Sequence, residues 1–254
     1  MGAVAVLERS LAWDGCFNVR DLGGLQTASG GRTRRRAVVR SDNIRRLTAH
    51  GWEAALAHGV RRVVDLRFEN EEPGEPDAHE GVEVFALPLH GPHRPADMDA
   101  FERRLSEADE IAPVFASSYV RMLQRTDRVG AAVAAVADAD PEDCVVVHCF
   151  AGKDRTGLVS AILLSLVGVA DEVVAADYAA SGAGVARLCE GWFTSAGSAK
   201  ERQLRQRLCS SPEDAMLGAL EWLRDSAGGA ESYLLAAGLD EQQVERLRRR
   251  LLAS

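Results

Sequence analysis

The 254-residue chain is 46% hydrophobic, an ordinary value for one large globular domain or two small ones. Its formal net charge of −8 argues against broad binding to nucleic acid or to an anionic membrane, because both require basic surfaces. Five cysteines, an odd number without the spacing of a disulfide framework, favour a reducing compartment.

The first ninety residues predict alternating strands and helices. Each predicted strand is a short run rich in β-branched or aromatic residues, bounded by turn-forming or charged residues. Thr48 can cap a helix, and Gly59 can end it. An acidic loop rich in proline and glycine follows Arg67. The predicted elements are strands at 16–20, 37–40, 60–66 and 82–87, the helix between Thr48 and Gly59, and the acidic loop Glu69–Glu75.

Residues 91–127 follow the last of these strands. Phe101, Leu105 and Tyr119 belong to two apolar helical patterns that are separated near Ala112-Pro113. Ligands of parallel sheets lie at the carboxyl ends of the strands, so these helices are candidates for a lid over such a site. A purely structural insertion explains the same pattern equally well.

A strand, a tight loop and a helix follow in the middle of the chain. Cys144–His148 is a continuous, mostly apolar strand, and Leu158–Val167 has its large apolar residues on one helical face. Asp171 can cap the next helix, and the rest of the chain predicts helices. This alternation indicates an α/β fold with a mainly parallel central sheet flanked by helices. No linker divides the chain, so we expect a single domain over residues 1–254.

The loop between that strand and helix places Cys149 six positions before Arg155. Successive backbone N–H groups of such a loop can surround an anion beside the positive end of a helix. The Arg155 guanidinium can add two hydrogen bonds to two phosphate oxygens. In such surroundings a thiol ionises more readily than a free cysteine. The pattern predicts a thiolate nucleophile facing a phosphate that is bound by Phe150, Ala151, Gly152, Lys153 and Thr156.

Three other interpretations of this loop are weaker. A nucleotide-binding P-loop needs glycine where Val147 stands and Ser or Thr in place of Asp154. A zinc site made of His148 and the two cysteines near it lacks a second pair at ligand spacing. A buried cysteine beside a helix, with Arg155 in a structural ion pair, is the plainest alternative.

The segment His148-Cys149-x-x-Gly152-x-x-Arg155-Thr156-Gly157 is similar to the signature of the cysteine-dependent protein tyrosine phosphatases. Its full form, His-Cys-Phe-Ala-Gly-Lys-Asp-Arg-Thr-Gly, resembles an atypical bacterial branch that includes phosphatases of phosphoproteins and of phosphoinositides. Agreement over ten residues weakens the interpretation as a structural cysteine. Shorter matches extend the resemblance over residues 14–252, at 17–24, 40–42, 64–67 and 177–178.

This resemblance implies a tyrosine-phosphatase-like fold and a two-step reaction. Cys149 attacks phosphorus, and water then cleaves the thiophosphate intermediate. Arg155 and the loop amides stabilise the charge on the phosphate oxygens in the transition state. The Thr156 hydroxyl can hydrogen-bond the thiolate or the leaving sulfur.

A general acid must also protonate the leaving oxygen. The atypical branch suggests Asp154, inside the loop itself; Asp97 and Asp99, after the predicted strand at 82–87, are the alternatives. Lys153 either extends over the pocket to meet a second phosphate or is an exposed lysine paired with a carboxylate. His148 either holds the loop by a hydrogen bond or is a simple core histidine. Six further charged residues are expected to form an ion-pair framework beneath the loop: Arg20, Asp21, Arg40, Asp42, Asp65 and Arg67.

Three functions fit these residues. The preferred one is hydrolysis of phosphomonoesters, mainly phosphotyrosine in proteins, with phosphoserine, phosphothreonine and phosphoinositides as further substrates. An inactive phosphate-binding module would not need both Cys149 and Arg155, and an arsenate reductase or sulfurtransferase would not need His148 and Thr156-Gly157. No metal, cofactor or nucleic-acid partner is expected, and no signal for an oligomeric state is present.

Two apolar stretches, one at the N-terminus and one after the loop, bear on the cellular location of the protein. Residues 1–7 are too few for a signal peptide, and Glu8 interrupts them. The longest apolar run, 158–170, is too short to span a bilayer. We therefore expect a cytoplasmic protein without stable membrane insertion, while export by another route stays open.

Overall fold

The structure, a computed structural model, describes residues 8–68, 71, 79–90 and 94–253. The strands in these ranges are β1 (Arg20–Asp21), β2 (Val38–Ser41), β3 (Val60–Asp65), β4 (Glu83–Ala86) and β5 (Cys144–His148). They form one sheet in the order β1-β2-β5-β3-β4, in which only the β1–β2 pair is antiparallel. The predicted α/β fold with a mainly parallel sheet is therefore confirmed.

Alternating side chains of the central strand explain why helices cover both faces of the sheet. In β5, Val145 and Val147 belong to the larger core, whereas Cys144 and Val146 face a smaller core that includes Trp13. A strand buried on both faces reads as a continuous apolar run, which is how Cys144–His148 reads. The loop after His148 lies at the carboxyl end of the middle strand, where ligands of parallel sheets bind.

Helices account for most of the remaining chain. Thr48 caps the first of them as predicted, since its Oγ1 accepts a hydrogen bond from the Gly51 N–H at 3.1 Å, and Gly59 follows with a φ of +100°. Within the described ranges, no helix is both long and apolar enough to cross a bilayer. The helices are α1 (Ala49–Ala57), α2 (Pro95–Glu107), α3 (Ala112–Leu123), α4 (Thr126–Ala137), α5 (Asp154–Leu166), α6 (Asp171–Ala179), α7 (Ser181–Leu188), α8 (Glu190–Thr194), α9 (Ala199–Cys209), α10 (Glu213–Asp225), α11 (Gly229–Ala236) and α12 (Glu241–Leu251).

The predicted strand at residues 16–20 is wrong except at its last residue. The backbone N–H groups of Phe17 and Asn18 donate to the Asp42 carboxylate at 3.1–3.2 Å and not to a neighbouring strand. A buried carboxylate therefore holds this segment as a loop. Most of the predicted acidic loop at 69–75 lies outside the described residues, with Glu71 as the exception.

Two predictions about the helices after the loop also need correction. Helix α5 begins at Asp154, four residues earlier than predicted, and it is buried on nearly every side because the sheet, α6, α11 and α12 surround it. Its sequence therefore lacks a polar face. Asp171 does not cap α6; it is the first helical residue, and its carboxylate accepts a hydrogen bond from Arg224 at 2.7 Å.

Candidate active site

The loop between β5 and α5 approaches the end of β2 closely. Gly152 has a φ of +65°, and a Cβ atom there would lie 2.5 Å from the Ser41 carbonyl oxygen and 2.6 Å from the Asp42 nitrogen. Both the backbone conformation and the lack of space therefore require glycine at this position.

The loop carbonyls point toward the scaffold, where they accept hydrogen bonds. Asn18 Nδ2 donates to the carbonyls of Ala151 and Gly152 at 2.8 and 3.1 Å, and the Asn43 N–H donates to that of Phe150 at 3.1 Å. The N–H groups of residues 150–155, by contrast, donate to no group in the part of the chain that the structure describes. Carbonyls turned outward with unused N–H groups make an anion-binding loop.

A buried carboxylate beneath the loop forms ion pairs with three arginines. Asp177 lies 2.6 Å from Arg9, 3.3 Å from Arg20 and 2.6 Å from Arg40, and all four side chains are nearly inaccessible to solvent. Burial alone would raise the pKa of Asp177, but these arginines hold it well below its usual range. Arg40 also donates to the Gly152 carbonyl at 2.8 Å, so the cluster supports the loop directly.

The predicted ion-pair framework forms only in part: Arg20 and Arg40 pair with Asp177, and neither Asp177 nor Arg9 was in the prediction. Asp65 pairs with Arg67 at 2.7 Å, as predicted. Asp21 and Asp42 instead bind backbone N–H groups: those of Gly23 and Arg36 for Asp21, and those of Phe17 and Asn18 for Asp42. Asp21 also lies 3.0 Å from His58.

Replacing Asp177 with Asn should lower the free energy of unfolding by about 3–5 kcal/mol, since three buried arginines lose their counter-charge. Chemical denaturation at pH 7 measures this loss. Because the pKa of Asp177 is lower in the folded than in the unfolded state, its contribution is complete well above pH 4 and decreases as the pH falls. The matched control is Asp171→Asn at the more exposed pair with Arg224, where solvent screening should leave a much smaller loss. Equal effects of the two substitutions would contradict the assigned role.

Cys149 lies at the start of the loop with 2% of its surface exposed. The preceding His148 is buried, and burial lowers its pKa, so the ring is neutral at pH 7. Its Nδ1 donates to the Cys149 carbonyl at 3.2 Å, and its Nε2 lies 3.6 Å from Asp65. These contacts favour the loop-holding interpretation of His148. The Thr156 Oγ1 is buried and bonds to no described residue, as a hydroxyl kept for the thiolate would be.

The Arg155 guanidinium is oriented by a residue that the sequence did not single out. Glu71 accepts two parallel hydrogen bonds from Arg155, at 2.5 and 2.6 Å. Burial opposes the charge of Arg155, but the nearby sulfur of Cys149 and the carboxylate of Glu71 raise its pKa. These two hydrogen bonds fix the plane of the guanidinium and leave further N–H donors of Arg155 for a ligand. The only signal for Glu71 was its place in the acidic loop after Arg67.

Asp154 is joined to two buried tyrosines. The Tyr119 hydroxyl donates to its carboxylate at 2.5 Å and lies 2.6 Å from the Tyr178 hydroxyl. Burial and the neighbouring Asp154 raise the pKa of Tyr119 well above its usual value, so Tyr119 keeps its proton. The Asp154 side chain is 34% exposed, so it reaches the surface of the site while the buried Tyr119 hydroxyl holds its carboxylate in place. The sequence had assigned Tyr119 only to an apolar helical face.

The interpretation of Lys153 as a lysine paired with a carboxylate is correct in its partner, because its Nζ lies 3.4 Å from the Asp154 carboxylate, but wrong about exposure, and Lys153 does not extend over the pocket. Its side chain is 2% exposed and turns away from solvent, and its Nζ donates to the Leu208 and Ser210 carbonyls at 2.7 and 2.8 Å. The Nζ also lies 4.6 Å from the centre of the Phe115 ring. A lysine whose ammonium is satisfied by two carbonyls can be buried, and here it ties the loop to the end of α9.

The segment predicted as a lid candidate forms α2 and α3, and residues 91–93 lie outside the described ranges. A cavity of about 480 Å³ lies between these helices and the loop, and both Asp154 and Arg155 line it. A second cavity of about 460 Å³ lies on the other side of the loop and is lined by Phe150 and Ala151. Met98 of α2 lines both cavities, so this helix borders the space on both sides of the loop.

The first cavity is rich in arginine. Arg104 and Arg121 both approach the Ser117 hydroxyl, at 2.9 and 3.5 Å. Partial burial and the neighbouring Arg104 lower the pKa of Arg121. Two like charges held together beside the loop form a place where a second anionic group would be stabilised. The arginines that line the cavity besides Arg155 are Arg94, Arg104, Arg121 and Arg125.

The alternative general acids and the zinc site are less well placed. Asp97 lines the first cavity from α2, whereas Asp99 is exposed and lines neither cavity. In the described ranges, no three His, Cys, Asp or Glu side chains are grouped in a way that could hold a metal ion. Asp154 lines both cavities and lies beside Arg155, so its position supports it as the acid.

The model of a family described as the tyrosine phosphatase family matches residues 11–253. A tyrosine-protein phosphatase of Nostoc commune is 31% identical over 231 residues, which cover 85% of this chain and 74% of the relative. A triple specificity protein phosphatase, PtpB, of Mycobacterium tuberculosis is 28% identical over 279 residues, which cover 94% of this chain and 97% of the relative. A putative tyrosine-protein phosphatase of Cupriavidus necator is 31% identical over 67% of this chain and 62% of its own length.

Proposed function

Since the chain belongs to the tyrosine phosphatase family and is a protein-tyrosine phosphatase, we propose that it acts through a cysteinyl-phosphate intermediate. The observation that carries the proposal is the loop at residues 150–155, whose carbonyls are bonded to the scaffold and whose N–H groups donate to none of the described residues. These N–H groups, the helix N-terminus and Arg155 suit a phosphate dianion in front of the Cys149 sulfur.

In the first step, the Cys149 thiolate attacks phosphorus, an S–P bond forms and the P–O bond to the leaving group breaks. Asp154 gives its proton to the leaving oxygen. The loop N–H groups and the Arg155 guanidinium stabilise the charge on the three equatorial oxygens. Glu71 acts on this step only through Arg155, whose orientation it fixes.

In the second step, water attacks phosphorus and the S–P bond breaks. Asp154, now a carboxylate, accepts the proton of that water, and the Thr156 hydroxyl can donate to the departing sulfur. Phosphate leaves, and Cys149 returns to its thiolate form. His148 holds the loop throughout by donating its Nδ1 proton to the Cys149 carbonyl, and it transfers no proton to or from the substrate.

The arginines around the first cavity support a substrate range that includes a second negative group. Arg104 and Arg121 take over the role that the sequence suggested for Lys153, whose ammonium is bonded to carbonyls. Phosphoinositides and phosphopeptides with further phosphates or acidic residues have this chemistry. The relative named a triple specificity protein phosphatase agrees with a range wider than phosphotyrosine.

We also propose that α2 and α3 act as a lid over the loop. Cys149 and Arg155 are nearly inaccessible, although a substrate must reach both. Arg207 donates to the Leu105 and Ala108 carbonyls at 2.7 Å, which ties the C-terminal end of α2 to α9. The N-terminal end, whose Met98 lines the cavities on both sides of the loop, is therefore the part expected to move.

The double variant Arg104→Gln/Arg121→Gln tests the substrate range. We expect kcat/KM to fall about tenfold for a phosphoinositide with two or more phosphates and to change little for a neutral phosphotyrosine peptide, because two partly exposed charge contacts contribute about 1.4 kcal/mol together. Steady-state phosphate release from both substrates measures the difference. Arg103→Gln is the matched control, since Arg103 is exposed on the same helix and lines neither cavity.

Two outcomes would contradict this assignment. Equal losses on both substrates would mean that the arginines serve the fold and not the recognition of a second phosphate. A loss for the phosphoinositide alone in Lys153→Ala would return that role to Lys153, whereas its contacts with α9 predict equal losses. Hydrolysis of neither substrate by the wild-type protein would contradict the proposed function itself.

A further inference from the structure

We propose that Cys189 and Cys209 form a peroxide-oxidisable dithiol, a modification site beside the catalytic loop that closes reversibly to a disulfide. Their sulfur atoms lie 2.9 Å apart, although twenty residues separate them in sequence. Cys189 lies between α7 and α8, and Cys209 is the last residue of α9. Both are free thiols and only half-buried.

The pair is open to a small oxidant. Both cysteines line the second cavity together with Phe150, Ala151 and Lys153. Cys16 and Cys144 differ, because burial raises the pKa of both thiols and keeps them protonated. The two cysteines with neighbouring sulfurs thus line a cavity that a dissolved peroxide can enter, and burial is not the main influence on the pKa of either thiol, in contrast to Cys16 and Cys144.

The geometry allows a bond with little movement. A disulfide needs an S–S distance of about 2.05 Å, so the two sulfurs must approach each other by less than 1 Å. Each cysteine is at a helix end, where side-chain torsions can adjust without breaking helical hydrogen bonds. The thiol of Cys209 already donates to the sulfur of Cys189.

That hydrogen bond also selects the attacking sulfur. It lowers the pKa of Cys189, with a further contribution from the Lys153 ammonium, and it raises the pKa of Cys209. The Cys189 thiolate attacks a peroxide oxygen, the O–O bond breaks, and hydroxide leaves and is protonated to water. Cys209 then loses its proton and attacks the Cys189 sulfenic acid, the S–S bond forms, and hydroxide leaves as water. Two thiols lose two electrons, and one hydrogen peroxide becomes two waters.

The disulfide would act on the catalytic loop through Lys153. The two carbonyls that hold its ammonium, those of Leu208 and Ser210, flank Cys209 in sequence. A covalent bond from Cys209 to Cys189 therefore fixes the chain segment to which the loop is tied. Closing a loop of this size also restricts the unfolded chain, so the oxidised protein should be the more stable form.

The test treats the full chain with hydrogen peroxide while inorganic phosphate occupies the catalytic loop, and then maps thiols and disulfides by mass spectrometry without reduction. We expect a cross-linked peptide pair containing Cys189 and Cys209, a rise in Tm of several degrees, and reversal of both by dithiothreitol. In Cys209→Ser the cross-link should vanish and dimedone should trap a sulfenic acid at Cys189. Cys16→Ser is the matched control, in which the cross-link should form as in the wild type.

Free thiols at both positions, after a peroxide dose that oxidises Cys149 in the phosphate-free protein, would overturn the proposal. So would a cross-link of either cysteine to Cys149 in place of its neighbour. The readouts are mass and Tm, so they do not depend on phosphatase activity. Failure of this proposal is therefore distinguishable from failure of the proposed function.

Discussion

The variant Cys149→Ser is expected to lose turnover by roughly 10⁴-fold or more, the largest effect of any single substitution in this protein. His148 cannot act as a base for a serine hydroxyl at this position, since it donates its Nδ1 proton to a carbonyl and its Nε2 lies toward Asp65. The loop N–H groups and Arg155 are unchanged by the substitution. Phosphate binding and the fold should therefore persist.

Initial rates with a phosphotyrosine peptide and calorimetric titration with inorganic phosphate separate these two properties. Cys16→Ser is the control, because Cys16 lies outside the loop and its Sγ contacts the Asn43 carbonyl at 3.5 Å. Wild-type rates in Cys149→Ser would refute the thiolate mechanism. Loss of activity with EDTA and its recovery with a divalent ion would also refute this mechanism, since the phosphate is expected to be held by protein donors alone.

The parts of the site that the sequence predicted are contiguous in the chain. The strand Cys144–His148, the loop and the following helix are defined by local residue types: β-branched residues, then a glycine, then a helix start. The position of Gly152 could be anticipated from its motif, and its φ of +65° gives the reason for it. Local patterns also predicted the Thr48 cap and the break between α2 and α3.

The parts that the sequence missed depend on residues far apart in the chain. Glu71 reaches Arg155 across 84 positions, and Arg9 reaches Asp177 across 168, so no spacing rule relates them. Tyr119 was assigned to an apolar face because its ring is buried, while its hydroxyl serves Asp154. Lys153 was misassigned because lysines are usually exposed, and only the fold reveals the two carbonyls that satisfy it.

Replacing Asp154 with Asn is expected to slow hydrolysis of phosphotyrosine and alkyl phosphates by about 10²–10⁴-fold, the usual contribution of a general acid. The Asn side chain keeps an oxygen that can accept the Tyr119 hydrogen bond, so the geometry should survive while the proton is lost. Aryl phosphates with very acidic leaving groups should be affected much less, because their oxygens depart as anions. A plot of log kcat against leaving-group pKa should therefore become steeper in the variant.

The pH profile and three companion variants complete the assignment. The alkaline limb of kcat/KM should flatten in Asp154→Asn, since that limb reports an essential acid or the ionisation of the substrate. Tyr119→Phe should cause a smaller loss of the same leaving-group type, because Tyr119 positions Asp154 and transfers no proton to the substrate. Asp97→Asn and Asp99→Asn should stay near the wild type with every leaving group. A leaving-group-dependent loss in either of them, with Asp154→Asn unaffected, would move the acid from the loop to α2 and require that helix to close over the phosphate before the ester bond breaks.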